Sequence, residues 1–431
     1  MGQHYALWME AQGLDNWRDY YETPTGNNDA QVRKWQIPER FHYNTWIAER
    51  SNALLEQYAT AGESFFLWAS FFDPHPKYLV PEPWDRMYDP AQLTVPGLTP
   101  GEHDSNPPHF RLTQERDPDF TPWLERGGHG LHGCHSHLHE RDELARDVAC
   151  YYGMISCMDS HIGHILARLD ETGLAENTLV VFTSDHGHFF GQHGLIAKGP
   201  FHYEDMLRVP MIVRWPGVCA AGARSDALQS LTDLPVSFLS ACDIEVPSDM
   251  TGIDQSRVWA GELPSMRNEV LVENHHQPTT LHARTLVTER YKLTTYCNRP
   301  WGELFDLEAD PEEVHNLWNI ADYGWLKDWL IERMLLAEMA QEEPLDETRL
   351  ARPNKSADMY TKSFNGGRWH ITMDPLNDCY ELIDTGQYPG SPGVDRWADP
   401  ACKAQRSRMM LALQFARMAA EPLWMPRVAG A

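Results

Sequence analysis

Leu179-Val180-Val181-Phe182-Thr183-Ser184-Asp185-His186-Gly187 is the stretch on which the reading of this chain turns. Four apolar residues and a threonine run without a break and then stop on a carboxylate, an imidazole and a glycine. A short run apolar on both faces suits a strand buried in a sheet with helices on either side. Upstream, Leu144, Val148, Tyr151, Ile155, Met158 and Ile162 recur every three or four positions. That spacing predicts one amphipathic helix from about Arg141 to Glu171, with Gly173 as its stop. Val209 to Trp215 is a further apolar run, and Phe65 to Phe72 is another, ending abruptly at Asp73-Pro74-His75-Pro76. Strand–helix–strand alternation predicts an α/β class with a mixed, mostly parallel sheet flanked by helices. Ligands bind beyond the carboxyl ends of the strands in such sheets. The polar stops at Asp73-Pro74-His75 and Asp185-His186-Gly187 are therefore where chemistry is expected.

The surroundings fill in around these runs. Residues 1–40, rich in Trp and Tyr, read as irregular structure. A helix is predicted from His42 to Ala61-Gly62, and residues 79–140, Pro-rich and poorly periodic, read as a surface excursion. Beyond about residue 265 apolar and polar residues alternate, as in half-exposed antiparallel strands, and helical spacing returns from Trp325 to Met339. The expected division is an α/β domain over 1–265 and a smaller α+β C-terminal subdomain with a helical tail over 266–431. A weak internal repeat links Glu303-Leu304-Phe305-Asp306 and Trp318 to Glu381-Leu382-Ile383-Asp384 and Trp397, and Pro344 to Pro422. Two copies of a strand–loop–helix unit are too few for a solenoid, and chance similarity between such units is the favoured reading.

The chain has 431 residues, with 36 Lys+Arg against 62 Asp+Glu and a formal net charge of −26. That acidity argues against nucleic acid and anionic membranes as partners. No apolar stretch approaches the ~20 residues of a membrane span, and residues 1–10 resemble no export signal. Eight cysteines are too few for a disulfide scaffold. Cys134, Cys150, Cys157 and Cys219 look unpaired, which leans toward a reducing cytoplasm.

Asp185 and His186 offer a carboxylate and an imidazole to one divalent cation. The oxygen suits Ca²⁺, and the nitrogen favours Mn²⁺ or Zn²⁺. Lys198 follows across a segment holding Gly187, Gly191 and Gly194, with Gly199 directly after it, glycines that permit tight turns. A lysine beside a dication is a point-charge clamp for an oxyanion. His75 could supply a proton to a leaving oxygen. A second metal-binding tract is open to His129, His132, Cys134, His135, His137 and His139, otherwise a solvated loop. The acidic run Glu338 to Glu347 reads as a solvated helix end.

In joint order, FFLWASFFDPHPKY (65–78), ARDVACYYGMISCMDSHIGHILARLDETGLAENT (145–178), LVVFTSDHGHFFGQHGLIAKGPFHYEDMLRVPMIVRWPG (179–217) and RYKLTTY…GELFDLEADPEEVHNL (290–317) resemble the sulfatases of the alkaline phosphatase superfamily. The resemblance implies an alkaline-phosphatase-like fold and metal-dependent hydrolysis of small sulfate esters. By position it implies Asp185 and His186 as ligands of a divalent metal, Ca²⁺ in most sulfatases. It implies Lys198 on the sulfate, His75 near the ester oxygen and His193 as a residue lining the substrate site. A phosphonate monoester or phosphodiester hydrolase of the same superfamily is the alternative, and a non-catalytic anion-binding scaffold is another. Oligomerisation is left open.

The chain departs from the family in one respect. The Cys-x-Pro-Ser-Arg motif, whose cysteine becomes the formylglycine nucleophile, does not occur; the nearest formal match is Cys402-Lys403-Ala404-Gln405-Arg406. The paired Asp metal ligands expected before it and the Gly-Lys-x-His element expected after it are also not found in order, and the reading that follows is of a chain lacking its N-terminal segment. This 431-residue polypeptide by itself is accordingly expected not to turn over sulfate esters. Metal-dependent hydrolysis of an aryl sulfate by the pure chain would contradict this.

Overall fold

The computed structural model describes residues 3–17, 32–123, 140–276, 281–340, 362–366, 369–374, 379–384 and 394–420. The chain gathers into two compact units, each assembled from several stretches of sequence. Residues 1–98, 133–197 and 209–219 form the first, and 99–132, 198–208 and 220–431 form the second. The boundary expected near residue 265 thus falls inside the second unit. No helix among the described residues is long and apolar enough to cross a membrane.

The first unit is built on the predicted long helix, which spans Arg141–Glu171. A reciprocal capping box between Glu140 and Glu143 starts it, and Gly173, at φ 75°, follows its end. Its apolar stripe packs Val148 and Met154 against Tyr78, Val80 and Phe190. Each such side chain contributes about 1.5–3 kcal/mol on full burial. Gly153 faces the same way: a Cβ there would lie 2.6 Å from the Trp84 carbonyl oxygen. The helix Tyr43–Ala61 also packs on this one and ends at Gly62, φ 67°. Residues 3–11, read as irregular, form a helix whose Tyr5, Trp8 and Met9 are buried with Trp35 and Phe41. Aromatic burial there outweighs the weak helical pattern.

Strands β1 (Val32–Lys34) and β2 (Tyr78–Val80) pair in parallel, and β3 (Val180–Thr183) carries the decisive apolar run. The hairpin strands β4 (Phe189–Phe190) and β5 (Ile196–Ala197) follow it. Next comes β6 (Met211–Arg214), which returns antiparallel to β3, not parallel. The intervening chain carries a hairpin and no long crossover helix of the kind a parallel neighbour requires. β3 is half-buried along its length, short of the full burial expected. The run 65–72 also differs from expectation: it is in no described ladder, and its residues alternate between half-buried and exposed. Phe66, Trp68 and Phe72 are 70%, 78% and 52% exposed. Among the described residues only one of its faces is covered, so apolar character on both faces did not translate into burial on both.

Where that run stops, Asp73 is buried, accepting hydrogen bonds from the Tyr43 hydroxyl and from Asn44 Nδ2 at 2.7 Å. Both donors sit in the first turn of the helix Tyr43–Ala61, which His42 caps by accepting from Asn44 N at 3.3 Å on Nδ1. With Nδ1 accepting, His42 is the neutral Nε2–H tautomer, and Nε2 reaches the Leu79 carbonyl at 3.2 Å. Burial lowers its pKa to about 3. Burial likewise raises Asp73 to about 7, against the two donors that favour its anion.

In the second unit, β7 (Glu269–His276), β8 (Leu281–Thr288), β9 (Tyr291–Tyr296) and β10 (Gly302–Asp306) form an antiparallel meander. β8, β9 and β10 are buried over most of their length, where half-exposed strands were expected. The reason lies in charged side chains that are paired within: Lys292 reaches Glu313 at 2.5 Å, and Arg284 reaches Glu338 at 2.7 Å. Glu338, read as part of a solvated helix end, is buried beneath Arg284 and Arg417; residues 341–347 of that acidic run lie outside the described residues. The helices Gly324–Met339 and Lys403–Ala420 pack into one core with this sheet and with β11 (Lys362–Gly366), β12 (Trp369–Asp374), β13 (Cys379–Asp384) and β14 (Val394–Asp395).

The strand–loop–tryptophan part of the weak sequence repeat shares a hydrogen-bond pattern, while Pro344 and Pro422 lie outside the described residues. Leu304 N and Trp318 N both donate to Asn316 Oδ1, each at 3.0 Å. Leu382 N and Trp397 N both donate to Asp395 Oδ1, at 3.1 and 2.9 Å. Nine residues after each tryptophan, a cation covers its ring and donates to its carbonyl oxygen. Lys327 does so for Trp318 at 2.9 Å, and Arg406 for Trp397 at 2.7 Å.

Two outcomes follow from these contacts. Gly153→Ala should destabilise the fold by about 1–3 kcal/mol in urea unfolding, although alanine is the better helix former, because its Cβ meets backbone that cannot yield. Unchanged stability would refute the close approach. For Asp73, the folded chain keeps a proton that the unfolded chain has released, from about pH 4 to about pH 7. Its stabilisation is full below that window and is lost as pH rises through it. Asp73→Asn should remove this part of the decline in unfolding free energy, and a pH profile parallel to that of the parent would show the assignment to be wrong.

Candidate active site

The end of β3 is organised by its own polar residues. Asp185 Oδ1 accepts from His186 N at 2.9 Å and from Ser184 Oγ at 3.3 Å. The Ser184 hydroxyl also reaches His186 O at 3.2 Å. His186 Nδ1 is hydrogen-bonded to Gly187 O at 2.8 Å, which orients the ring with Nε2 3.5 Å from Asp185 Oδ2. The Asp185 side chain is 82% exposed and that of His186 33%. The carboxylate and imidazole thus share one edge facing solvent, as two donors to a single cation would.

The segment carrying His75 lies close by. Tyr78, three residues beyond His75, meets His188, two beyond His186, through a hydrogen bond of 2.8 Å between its hydroxyl and Nε2. The His188 ring stacks on Tyr151 at 5.5 Å between centroids, held against the long helix. This bond joins the segments that follow the two polar stops singled out from the sequence. His75 itself has Nδ1 2.5 Å from Pro76 O and its ring 4.9 Å from that of Phe72. His188 went unremarked in the sequence reading, although its place in Asp-His-Gly-His could have signalled a second imidazole.

The glycines act unequally. Gly191 (φ 113°) and Gly194 (φ 69°) occupy the left-handed region, whereas Gly187 and Gly199 do not. A Cβ at Gly191 would come within 2.5 Å of Pro96 O. Between them His193 is itself left-handed, φ 56°, and buried at 7% exposure, its ring edge-on to Phe189 at 6.3 Å. A non-glycine residue held there is over-determined by its surroundings. The turn closes the β4–β5 hairpin. Lys198, the next residue after β5, opens the 198–208 segment of the second unit and is half-buried. The histidine tract 129–139 lies outside the described residues.

Among the described residues, the only set of three His, Cys, Asp or Glu donors close enough for one metal ion is Glu39, Cys157 and His161. It was not anticipated, though the four-residue spacing of Cys157 and His161 on a predicted helix was visible. Burial pushes the Cys157 thiol up to about 12 and lowers His161.

Known proteins share both the sequence and the fold. The sulfatase family profile matches residues 2–244, and that of the C-terminal region of N-sulphoglucosamine sulphohydrolase matches 191–341. An arylsulfatase of Clostridium perfringens is 27% identical, over 73% of this chain and 62% of its own length. An N-acetylglucosamine-6-O-sulfatase of Bacteroides thetaiotaomicron is 31% identical over 46% of this chain and 36% of its own. The chain thus spans less than two thirds of these relatives. A phosphonate monoester hydrolase from Silicibacter pomeroyi superposes with a TM-score of 0.65 at 22% identity, covering 87% of this chain and 73% of that one. At that identity the likeness speaks for the fold alone, an alkaline-phosphatase-like α/β architecture. The sulfatase profile by itself spans more than half of the sequence, and this chain belongs to the sulfatase family of the alkaline phosphatase superfamily.

Proposed function

We propose that this chain provides the metal- and anion-binding part of a sulfuric ester hydrolase acting on small sulfated substrates. The observation that carries the reading is the Asp185–His186 pair, aligned at the end of β3 with an exposed carboxylate and an oriented imidazole. The donor chemistry fits two ligands of a divalent cation, Ca²⁺ by the carboxylate and Mn²⁺ or Zn²⁺ by the imidazole. Among the described residues no third donor is grouped with them, so in this reading the pair would supply only part of a coordination sphere. Bound there, the cation would neutralise charge on the sulfate oxygens.

The remaining roles fall to side chains of this chain. Lys198 supplies a compact positive charge to the sulfate, which in a protein of net charge −26 must be concentrated locally. His75 gives a proton to the departing ester oxygen, and His193 lines the substrate site. The 431 residues hold no Cys-x-Pro-Ser-Arg precursor of a formylglycine, so the reading assigns no nucleophile to them. Curated relatives named for aryl and N-acetylglucosamine 6-sulfates support an aryl or sugar sulfate as the ester.

The test is binding by the chain itself. Calorimetry with inorganic sulfate in the presence of Ca²⁺ should show affinity that falls at least tenfold in Lys198→Ala, about 1.4 kcal/mol or more, and that loses its metal dependence in Asp185→Asn. Equal affinity in parent and both variants would overturn the assignment. Aryl sulfate and aryl phosphonate, compared as ligands in the same calorimetry, separate this reading from the phosphonate hydrolase alternative.

A further inference from the structure

Behind Asp73 lies a cluster that the proposed ester chemistry does not use. Cys157 and His161 stand one helical turn apart on the same face of the helix Arg141–Glu171, the spacing at which side chains meet. Glu39, in the short 3₁₀ turn Glu39–Phe41, faces them. Its Oε1 is 3.2 Å from His161 Nε2 and 3.9 Å from Cys157 Sγ. All three ligand atoms lie within 4.8 Å of one another. Around a tetrahedral zinc, with bonds of about 2.0–2.3 Å, such atoms stand about 3.3–3.7 Å apart. Contraction by a fraction of an ångström to about one ångström would close the set.

From this geometry we infer that Glu39, Cys157 and His161 form a structural site for a borderline d-block dication of the Zn²⁺ class. Thiolate, imidazole and carboxylate together suit zinc and its neighbours and disfavour Ca²⁺ or Mg²⁺, which take oxygen donors. Cys157 is fully buried and His161 is 6% exposed, while Glu39 keeps one edge toward solvent, where water can complete the sphere. Supporting groups are in place. Asn44 Nδ2 lies 3.9 Å from the Cys157 sulfur, a position from which an outer-sphere N–H supports a metal-bound thiolate, while Thr45 Oγ1, 3.4 Å from His161 Nε2, would give up that nitrogen to the metal. Asn44 Nδ2 also donates to Asp73, so a metal here ties the long helix, the 39–45 segment and the segment leading to His75 into one frame. Cys157 binds as the thiolate, its proton passing to solvent, and His161 as the neutral ring.

Co²⁺ is the probe, added to the full chain in a Cys134→Ser background so that the histidine-rich tract cannot supply a thiolate. One equivalent should give near-ultraviolet thiolate-to-cobalt charge-transfer absorption that disappears in Cys157→Ser and persists in Asp185→Asn. Zn²⁺ should raise the thermal midpoint of the parent and not that of His161→Gln. Should Cys157→Ser fail to fold, Glu39→Gln carries the test through at least tenfold weaker Co²⁺ binding. No charge-transfer band in the folded parent, a band of equal strength in Cys157→Ser, or unchanged affinity in Glu39→Gln would overturn the site and leave a hydrogen-bonded Glu–His pair beside an inert thiol.

Discussion

Burial of the Asp73 carboxylate is the constraint around which the first unit is arranged. A carboxyl group at the end of an apolar run can leave water only if donors meet it, and Tyr43 and Asn44 do so from the first turn of a helix. That helix can present them only because His42, neutral and fully buried, caps its start and ties it to Leu79. The same Asn44 touches Cys157 on the long helix. One buried acid thus ties two helices to the segment that carries His75. Its raised pKa is the mark of that burial: desolvation outweighs two good hydrogen bonds.

The second unit meets a similar demand with ion pairs. Arg284, 2% exposed, reaches Glu338 and Glu273, and Arg417 reaches Glu338 from the helix Lys403–Ala420. Removing one member of such a set leaves a charge uncompensated, at a cost of about 3–5 kcal/mol. The pairs bridge helix and sheet, so they specify which helix face meets the strands. Around them the repeated strand–loop–helix unit reuses one device. An amide or carboxylate oxygen two residues before a tryptophan gathers that tryptophan's N–H and one from the preceding strand, and a cation nine residues later clamps the ring.

Much of this was legible in the sequence where the signal is local. The helices Arg141–Glu171, Tyr43–Ala61 and Gly324–Met339 declare themselves by apolar spacing, with Gly173 and Gly62 stopping the first two. Asp185 and His186 declare themselves as an abrupt polar end to an apolar strand, and no contact from elsewhere is needed to make them adjacent. The repeat was legible only weakly, because its conserved content is a pattern of hydrogen bonds that Asn316 and Asp395 satisfy with different residues.

What the amino-acid order determined by itself is therefore the long helices Arg141–Glu171, Tyr43–Ala61 and Gly324–Met339, the class of the fold, the family and the candidate pair Asp185 and His186. Tertiary structure alone decided the direction of β6 against β3, since an apolar run carries no record of how the chain returns to it. It decided that Phe66 and Trp68 face solvent while Arg284, Lys292 and Glu338 are buried, because burial belongs to whatever covers a residue. It also gathered Glu39 to Cys157 and His161 across more than a hundred residues. Spacing along the chain shows only neighbours on one element, and a site assembled from several elements exists only once they pack.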